Sequence, residues 1–300
     1  MMIWMFSLIA DWKDTHLERN ALIGVSIMLV VAVANTIDTL IVRVLAGQVS
    51  PFFMAFTRAA FGLLAMLPWI LRRPEILVTR RYGLHLLRAG LKLGSLLLLF
   101  LALAKAPLVM VTAIGYAAPV FVSIGAWFVL RERPRALRIL AVIIGFGGVL
   151  VLLNPRGASF EPALLFAFAS ALLLAAIQLM LKVMGARESS ETLVAWNLIA
   201  TVPLALIPAI WFWATPTPVE WALLALQGAI GAFNQLMVTR AFQYADASLI
   251  APIDFIRLPL IAAAAWWAFG ETVGITAWIG STIILVSTIL MALSTRRISA

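Results

Sequence analysis

The sequence predicts an all-α integral membrane protein with ten transmembrane helices, arranged as two inverted five-helix repeats with both termini in the cytoplasm. Three observations lead to this fold class. The chain is 64% hydrophobic and 12% charged, whereas a soluble domain is roughly 45–50% apolar and about 25% charged. Its apolar residues form membrane-length runs, and its polar features recur at a fixed interval. A water-soluble fold is therefore excluded.

Ten apolar runs, separated by charged residues, Pro or Gly, come close to the ~20 residues that a helix needs to cross a bilayer. The first five cover residues 21–42, 52–71, 84–104, 108–130 and 137–153. The second five cover residues 162–183, 192–213, 221–242, 248–269 and 274–293. Several connections are very short, so consecutive helices must be antiparallel neighbours.

The basic residues orient these spans. If the N-terminus is cytoplasmic, only three of the 22 Lys and Arg lie outside the cell, namely Arg43, Lys105 and Arg156. Because cytoplasmic loops carry the excess of Lys and Arg, this orientation is the favoured one. The basic residues fall in short clusters between apolar runs, so membrane topology explains the net charge of +9 and no nucleic-acid partner is needed. We expect a multi-pass protein of the inner membrane, with the lipid bilayer as its partner.

An internal repeat appears when the chain is compared with itself at an offset of 139 residues. The offset aligns Arg43 with Lys182, Ser50 with Ser189, Arg58 with Asn197, and Glu132 with Glu271. We expect the two glutamates to have matching structural roles, such as capping a neighbouring helix. The predicted repeats are residues 21–154 and 160–294. Since each holds an odd number of spans, the second must enter the membrane from the opposite side, as in secondary transporters with a binding site near the midplane.

Two segments carry a family resemblance. They are HLLRAGLKLGSLLLLFLALAKAPLVMVTAIGYAAPVFVSIGAWFVLRERP, followed by GFGGVLVLLNP, and RAFQYADASLIAPIDFIRLPLIAAAAWWAFGE. Both resemble repeats of the EamA family in the drug/metabolite transporter superfamily, and the similarity covers residues 23–293. The resemblance implies a ten-helix carrier with a central cavity and alternating access. Relatives export amino acids or drugs, or import riboflavin or S-adenosylmethionine, and usually have a small or apolar residue where this chain has Lys92.

Charged residues inside predicted spans are costly and are therefore candidates for function. Asp254 and Arg257 are three residues apart, which places them on one helical face near the middle of the ninth span. They lie between Pro252 and Pro259, and prolines weaken a helix and free backbone carbonyls. The sequence predicts either a cavity-lining pair that binds substrate or a structural ion pair between packed helices.

Three further charged residues are candidates in the first half. Asp38 and Arg58 fall at similar depth in the first and second spans, so we expect an ion pair that serves as a gate or clasp, with a substrate contact as the alternative. Lys92 lies one turn beyond Arg88 in the third span and is too deep to reach the interface easily. It is therefore predicted to bind substrate.

Uncharged polar residues complete the predicted site. In the fourth span, Gly115 and Pro119 predict a bend that carries Tyr116 near mid-depth, where it lines a cavity or merely packs. Asn197, Asn234 and Gln235 are predicted to bind a polar ligand, although hydrogen bonding between helices is the alternative for all three.

The charges inside the predicted spans indicate the kind of ligand. Three cations face two anions there, and a substrate carboxylate or phosphate would offset the remaining positive charge. We therefore predict a secondary transporter that moves a small-molecule substrate, an amino acid or related organic anion or zwitterion, by alternating access, with protons as a candidate coupling ion. An importer of riboflavin or S-adenosylmethionine and a multidrug exporter are alternatives.

A membrane enzyme is the rival from another class. The chain has no Cys, His16 and His85 are its two histidines, and no HExxH, phosphate-binding or nucleophile-elbow motif is present. We therefore expect no catalytic residue, cofactor or metal. A channel is a further rival, but the sequence shows no filter-like loop or ring of charges.

Overall fold

The computed structural model describes residues 2–129, 136–153, 161–185, 188–213, 215–244 and 253–296. Within them the first half forms α1 (Met2–Leu45), α2 (Pro51–Arg72), α3 (Tyr82–Lys105), α4 (Leu108–Gly115), α5 (Ala118–Val129) and α6 (Ala136–Leu153). The second half forms α7 (Leu164–Gly185), α8 (Ser190–Trp211), α9 (Pro218–Tyr244), α10 (Arg257–Phe269) and α11 (Ile275–Arg296). The predicted all-α class is confirmed.

Seven helices among the described residues are long and apolar enough to cross a membrane, if α4 and α5 are taken together. Three shorter apolar helices, Ile139–Leu153, Arg257–Phe269 and Ile275–Leu290, lie at the predicted fifth, ninth and tenth spans. The number of ten spans, the inverted orientation of the halves and the cytoplasmic termini remain predictions.

Equivalent serines begin equivalent helices in the two halves. The Ser50 hydroxyl accepts a hydrogen bond from the backbone N–H of Phe53 at 3.2 Å and caps α2. The Ser189 hydroxyl accepts one from Thr192 at 3.1 Å and caps α8. Such caps satisfy N–H groups that have no partner within the helix. The aligned serines therefore have the same structural role.

The fourth span is interrupted where the sequence predicts a bend. Helix α4 ends at Gly115, Tyr116 and Ala117 form a turn, and α5 begins at Ala118. Pro119 has no N–H and cannot donate to the carbonyl of Gly115, so a continuous helix would leave that group unpaired.

The ninth span is interrupted at the equivalent position. Asp254–Ile256 form a 3-10 turn, and α10 starts at Arg257. The offset of 139 residues places Tyr116 opposite Phe255, at the centre of this turn. Since Pro259 cannot donate to the carbonyl of Phe255, α-helical pairing fails there as well. Asp254 therefore lies in the 3-10 turn and Arg257 at the first residue of the α-helix that follows it.

The helix contacts repeat when the two halves are exchanged. Helix α1 packs on α9 as α7 packs on α3, and α2 packs on α9 as α8 packs on α3. Helix α1 contacts α10, as α7 contacts α4 and α5. The remaining major pairs, α2 with α8, α4 with α10 and α6 with α11, each join equivalent elements. A two-fold relation between the halves produces this pattern.

Helices α6 and α11 approach closely through small residues. A Cβ placed on Gly148 would lie 3.1 Å from the carbonyl oxygen of Gly280, and one on Gly280 would lie 3.1 Å from the carbonyl oxygen of Gly148. The 139-residue offset aligns Gly148 with Ser287 and Ala141 with Gly280. At this equivalent contact, the Ser287 hydroxyl donates to the carbonyl of Ala141 at 2.7 Å. Small residues permit such backbone contact between membrane helices.

A second close contact joins α2 to α9. A Cβ on Gly228 would lie 2.5 Å from the Cβ of Phe61 and 3.1 Å from both the Arg58 carbonyl oxygen and the Gly62 nitrogen. Backbone atoms cannot move aside as a flexible side chain can, so this position requires glycine. The contact places Arg58 and Gly62 of α2 directly against α9.

Large apolar side chains cover much of the outer surface. Phe128 is 79% exposed, Trp267 is 84% exposed, and Leu71 and Trp211 are similarly uncovered. A soluble protein of this size rarely exposes so much contiguous apolar surface. This surface is suited to contact with lipid.

We predict that Gly228→Ala destabilises the protein by about 1–3 kcal/mol, because the added methyl group overpacks the contact between α2 and α9. Gly90→Ala is the matched control, since a Cβ at Gly90 in α3 meets nothing within 4 Å and alanine is the better helix former by about 1 kcal/mol. Thermal unfolding of the purified variants would contradict the prediction if Gly228→Ala were as stable as Gly90→Ala.

Candidate functional site

Two cavities lie between the halves and share the residues Asn35, Lys92, Leu96 and Val238 in their walls. Their volumes are about 480 Å³ and 440 Å³, within the ~300–1,000 Å³ typical of small-molecule sites. Because they share walls, we treat them as two compartments of one site.

The larger cavity is called the amide compartment. Of the residues predicted from the sequence, Arg58, Lys92, Asn197, Asn234 and Gln235 line it. Arg88, which the sequence placed nearer the cytoplasm, also contributes to the wall. With Asn35 from the shared wall, the compartment therefore combines three basic side chains with four side-chain amides.

The smaller cavity is called the hydroxyl compartment. Tyr116, Asp254 and Arg257 line it, as predicted, and Lys92 reaches it from the shared wall. Its other polar lining residues are Ser95, Thr112, Ser170, Gln178 and Thr288. All seven predicted substrate-binding residues thus lie in one compartment or the other, and their role in binding remains a prediction.

The two interrupted helices are joined at their breaks. The Tyr116 hydroxyl donates to the backbone carbonyl of Asp254 at 2.6 Å. This bond satisfies a carbonyl that lies in the 3-10 turn of the ninth span. Irregular backbone within a membrane is tolerated where other groups satisfy it or where it lines a cavity, and here both conditions hold.

Arg257 is engaged by α1 rather than by its neighbour in sequence. Its Nη2 donates to the Thr39 hydroxyl at 3.0 Å, whereas no ion pair within 4.0 Å joins Asp254 and Arg257 among the described side chains. The predicted alternative of a structural ion pair is therefore wrong.

Asp38 and Arg58 are in contact. Nη1 of Arg58 donates to Oδ1 of Asp38. The Arg58 side chain is 19% exposed and the Asp38 side chain is 13% exposed. The guanidinium also packs against Gly231 of α9, where a Cβ would lie 3.0 Å from Nη2. The pair therefore ties α1 to α2 beside the amide compartment; a gating role remains a prediction.

Several lining residues were not predicted from the sequence. The Asn234 side-chain amide donates to Oδ1 of Asn35 at 2.9 Å, which links α9 to α1. At the equivalent contact, Ser95 and Ser170 donate to each other's carbonyl at 3.1 and 2.8 Å, which links α3 to α7. The offset aligns Ser95 with Asn234, so the repeat could have identified Ser95, but it aligns Asn35 with Leu174 and not with Ser170.

One end of the site is tied across the halves by a buried cluster. His85 Nε2 lies 2.8 Å from Oε2 of Glu188, and the Thr79 hydroxyl donates to Oε1 of Glu188 at 2.6 Å. Arg88 donates to the carbonyl of Leu193 at 2.8 Å. The cluster joins α3 to the start of α8, because Glu188 lies just before that helix.

The opposite end is tied by Arg43 and Glu271. The Arg43 guanidinium lies 2.7 Å from Oε1 of Glu271 and donates to the carbonyl of Leu103. The other carboxylate oxygen, Oε2, accepts from the backbone N–H of Leu108 at 3.0 Å and caps α4. Glu132, its counterpart in the repeat, lies outside the described residues.

The described residues contain no group of three or more His, Asp or Glu side chains arranged to hold a metal ion.

We predict that Arg58→Ala lowers the thermal unfolding temperature sharply, because it leaves the Asp38 carboxylate without its partner. Breaking a buried pair costs about 3–5 kcal/mol. The double variant Asp38→Ala/Arg58→Ala should be more stable than Arg58→Ala. Arg73→Ala is the control, since the Arg73–Glu191 pair is about half exposed and such pairs contribute ~0–1 kcal/mol. Equal losses in Arg58→Ala and Arg73→Ala would contradict the prediction.

Comparison with known proteins identifies relatives of this architecture. A family model described as the EamA-like transporter family matches residues 22–154 and 161–293, one match in each half. The "S-adenosylmethionine uptake transporter" of Rickettsia prowazekii (strain Madrid E) is 28% identical over 280 residues, which are 93% of this chain and 95% of the relative. The "Riboflavin transporter" of Vibrio cholerae serotype O1 is 32% identical over 238 residues, which are 78% of this chain and 80% of the relative.

A solved crystal structure has the same fold. It superposes with a TM-score of 0.61 at 21% sequence identity, and the match covers 94% of this chain and 99% of that chain. Since the family model matches both halves, and the relatives with matching sequences are bacterial transporters, this chain is a multi-pass protein of the inner membrane that belongs to the EamA-like transporter family of the drug/metabolite transporter superfamily.

Proposed function

We propose that this chain is a secondary transporter that moves a small polar metabolite, an amino acid or a related organic anion or zwitterion, by alternating access. The observation that carries the proposal is the position of the hydroxyl compartment between the repeats, at the point where two equivalent helices are interrupted. Secondary transporters bind their cargo at such breaks, where helix ends and freed carbonyls meet the ligand.

The electrostatics of the site support a cargo with a negative group. Helix α10 begins at Arg257, beside the hydroxyl compartment, and the start of a helix carries a partial positive charge. Arg58, Arg88 and Lys92 add positive charge in the amide compartment. A purely cationic drug would be repelled by this lining.

A larger metabolite is the second candidate. The relatives are named as transporters of S-adenosylmethionine and riboflavin. Two joined compartments of about 480 and 440 Å³ offer more room than a single amino acid needs. Four side-chain amides in one compartment suit the ring edges of a heterocycle, which present both donors and acceptors.

Protons are the proposed coupling ion, with Asp254 as the carrier. Its carboxyl group lines the hydroxyl compartment beside a cation that is already engaged by Thr39. Among the described residues that line the two compartments, Asp254 is the one acidic side chain. We further propose that both termini are cytoplasmic and that the repeats comprise residues 21–154 and 160–294.

We predict saturable counterflow in proteoliposomes that contain the purified protein. Vesicles loaded with an unlabelled candidate should accumulate the same labelled compound transiently, because a carrier exchanges cargo across the membrane without net driving force. The panel should include S-adenosylmethionine, riboflavin and the common amino acids, with protein-free vesicles as the control. Flux that does not saturate would indicate a channel, and chemical conversion of a panel member would indicate an enzyme.

We predict that a water-soluble maleimide labels Tyr116→Cys and Asp254→Cys in the reconstituted protein, because both positions line the hydroxyl compartment. The chain has no native cysteine to remove. Ile143→Cys is the control, since Ile143 is 63% exposed on the apolar outer surface of α6. If the two cavity positions stay unlabelled with and without candidate cargo, these positions do not line a water-accessible site.

A further inference from the structure

Lys92 has no partner of opposite charge among the residues that the structure describes. It lies in the wall shared by the two compartments, and no hydrogen bond or ion pair reaches it from the described side chains. The other cations of the amide compartment do have partners. Arg58 pairs with Asp38, and Arg88 donates to the carbonyl of Leu193 and lies in the field of Glu188.

Lys92 shares the wall of the amide compartment with two other basic side chains. Arg58 and Arg88 both repel its ammonium group. A cation held among cations without a counterion is costly, and it persists where a ligand supplies the missing charge. A negatively charged ligand group beside Lys92 would remove this repulsion.

The two halves contribute different chemistry to this compartment. The repeat offset aligns Lys92 with Gly231, and Arg58 with Asn197. The first half thus supplies two basic side chains where the second supplies a glycine and an amide. This asymmetry fits a ligand with a negative end toward α2 and α3 and hydrogen-bond donors toward α8 and α9.

Buried amide oxygens mark where those donors would bind. Within the described part of the chain, Oδ1 of Asn197 and Oδ1 of Asn234 have no hydrogen-bond partner, although these residues are only 5% and 7% exposed. Both residues line the amide compartment. An unsatisfied buried acceptor is unfavourable, and an N–H or O–H group of a ligand would satisfy it. Nε of Arg88, which is 5% exposed, is an unpartnered donor in the same wall.

Arg257 is a weaker candidate for the negative group. Its Nη2 already donates to Thr39, and Asp254 in the same compartment balances its charge. Lys92 has neither a bound acceptor nor a balancing acid among the described residues.

We propose that Lys92 is the anion-binding residue of the cargo site, that it holds a carboxylate or phosphate group of the ligand, and that Asn197 and Asn234 accept N–H or O–H donors from the same ligand. This inference rests on the proposed transport function and names the position that selects the substrate class. Arg58 and Arg88 strengthen the site through their field.

The test uses equilibrium binding of matched compounds to the purified full-length protein in detergent. One pair is riboflavin and flavin mononucleotide, which differ by a phosphate group. The other pairs are amino acids and their amides, which differ by the carboxylate. We expect wild-type protein to bind the anionic member of at least one pair about tenfold or more tightly, since a charge-assisted hydrogen bond is worth about that factor in Kd.

Lys92→Gln should abolish this preference, and Lys92→Arg should retain most of it. Lys105→Gln is the matched control, because Lys105 lies in the same helix, is exposed and lines neither compartment. The proposal is wrong if wild-type protein prefers no anionic member, if Lys92→Gln keeps the preference, or if Lys105→Gln loses it equally.

A second variant covers the case in which Lys92→Gln does not fold. Asn197→Asp keeps the side-chain shape and adds a negative charge to the same compartment, so it should also reduce the preference about tenfold. An unchanged preference would overturn the proposal. Counterflow by wild-type protein separates the transport hypothesis from the anion-binding role of Lys92. If no panel compound shows counterflow, the proposed transport function is wrong. If counterflow occurs but the preference for anions does not depend on Lys92, only the role of Lys92 is refuted.

Discussion

The lack of water in the hydrocarbon core of a bilayer constrains every other feature of this protein. Each backbone N–H and carbonyl there must find a partner within the protein, so a helix is broken only where something replaces its lost bonds. Tyr116 lies in the break of the fourth span. Its hydroxyl donates to the carbonyl of Asp254 in the break of the ninth span, and this bond replaces a lost backbone bond there. The breaks and the hydroxyl compartment therefore occur together, and the position of the site follows from the positions of Pro119 and Pro259 along their helices.

Close packing of the helices depends on small residues at their contacts. Lipid offers apolar side chains the same surroundings as a protein core, so helices associate in membranes mainly through tight contact and hydrogen bonds. Gly148 against Gly280, and Gly228 against α2, provide such contact. Glycine also shapes the site, since Gly231 leaves room for the Arg58 guanidinium beside the amide compartment.

The sequence predicted features that depend on local chemistry and on the repeat. Hydropathy located the helices, Gly115 and Pro119 located the break in the fourth span, and the repeat aligned Ser50 with Ser189, which the structure shows to cap equivalent helices. Partners distant in the chain could not be predicted in this way. Arg257 and Thr39 are separated by 218 residues, and helical periodicity indicates which face a residue lies on but not which helix meets that face. Glu188 was missed because it lies just outside a predicted span, where a carboxylate is ordinarily solvated.

The contacts that tie the two ends of the site differ in their chemistry, and this difference affects which end opens more easily. At one end a guanidinium meets a carboxylate that also caps a helix, and at the other an imidazole meets a carboxylate in a cluster with a threonine hydroxyl. These ties are not related by the repeat, because the offset does not align His85 with either member of the Arg43–Glu271 pair. Symmetry therefore does not make the free energy needed to open one end equal to that needed to open the other. Under the proposed alternating-access mechanism, a few side chains would therefore set which face of the membrane the empty protein opens to, and closely related chains with the same fold could differ in it.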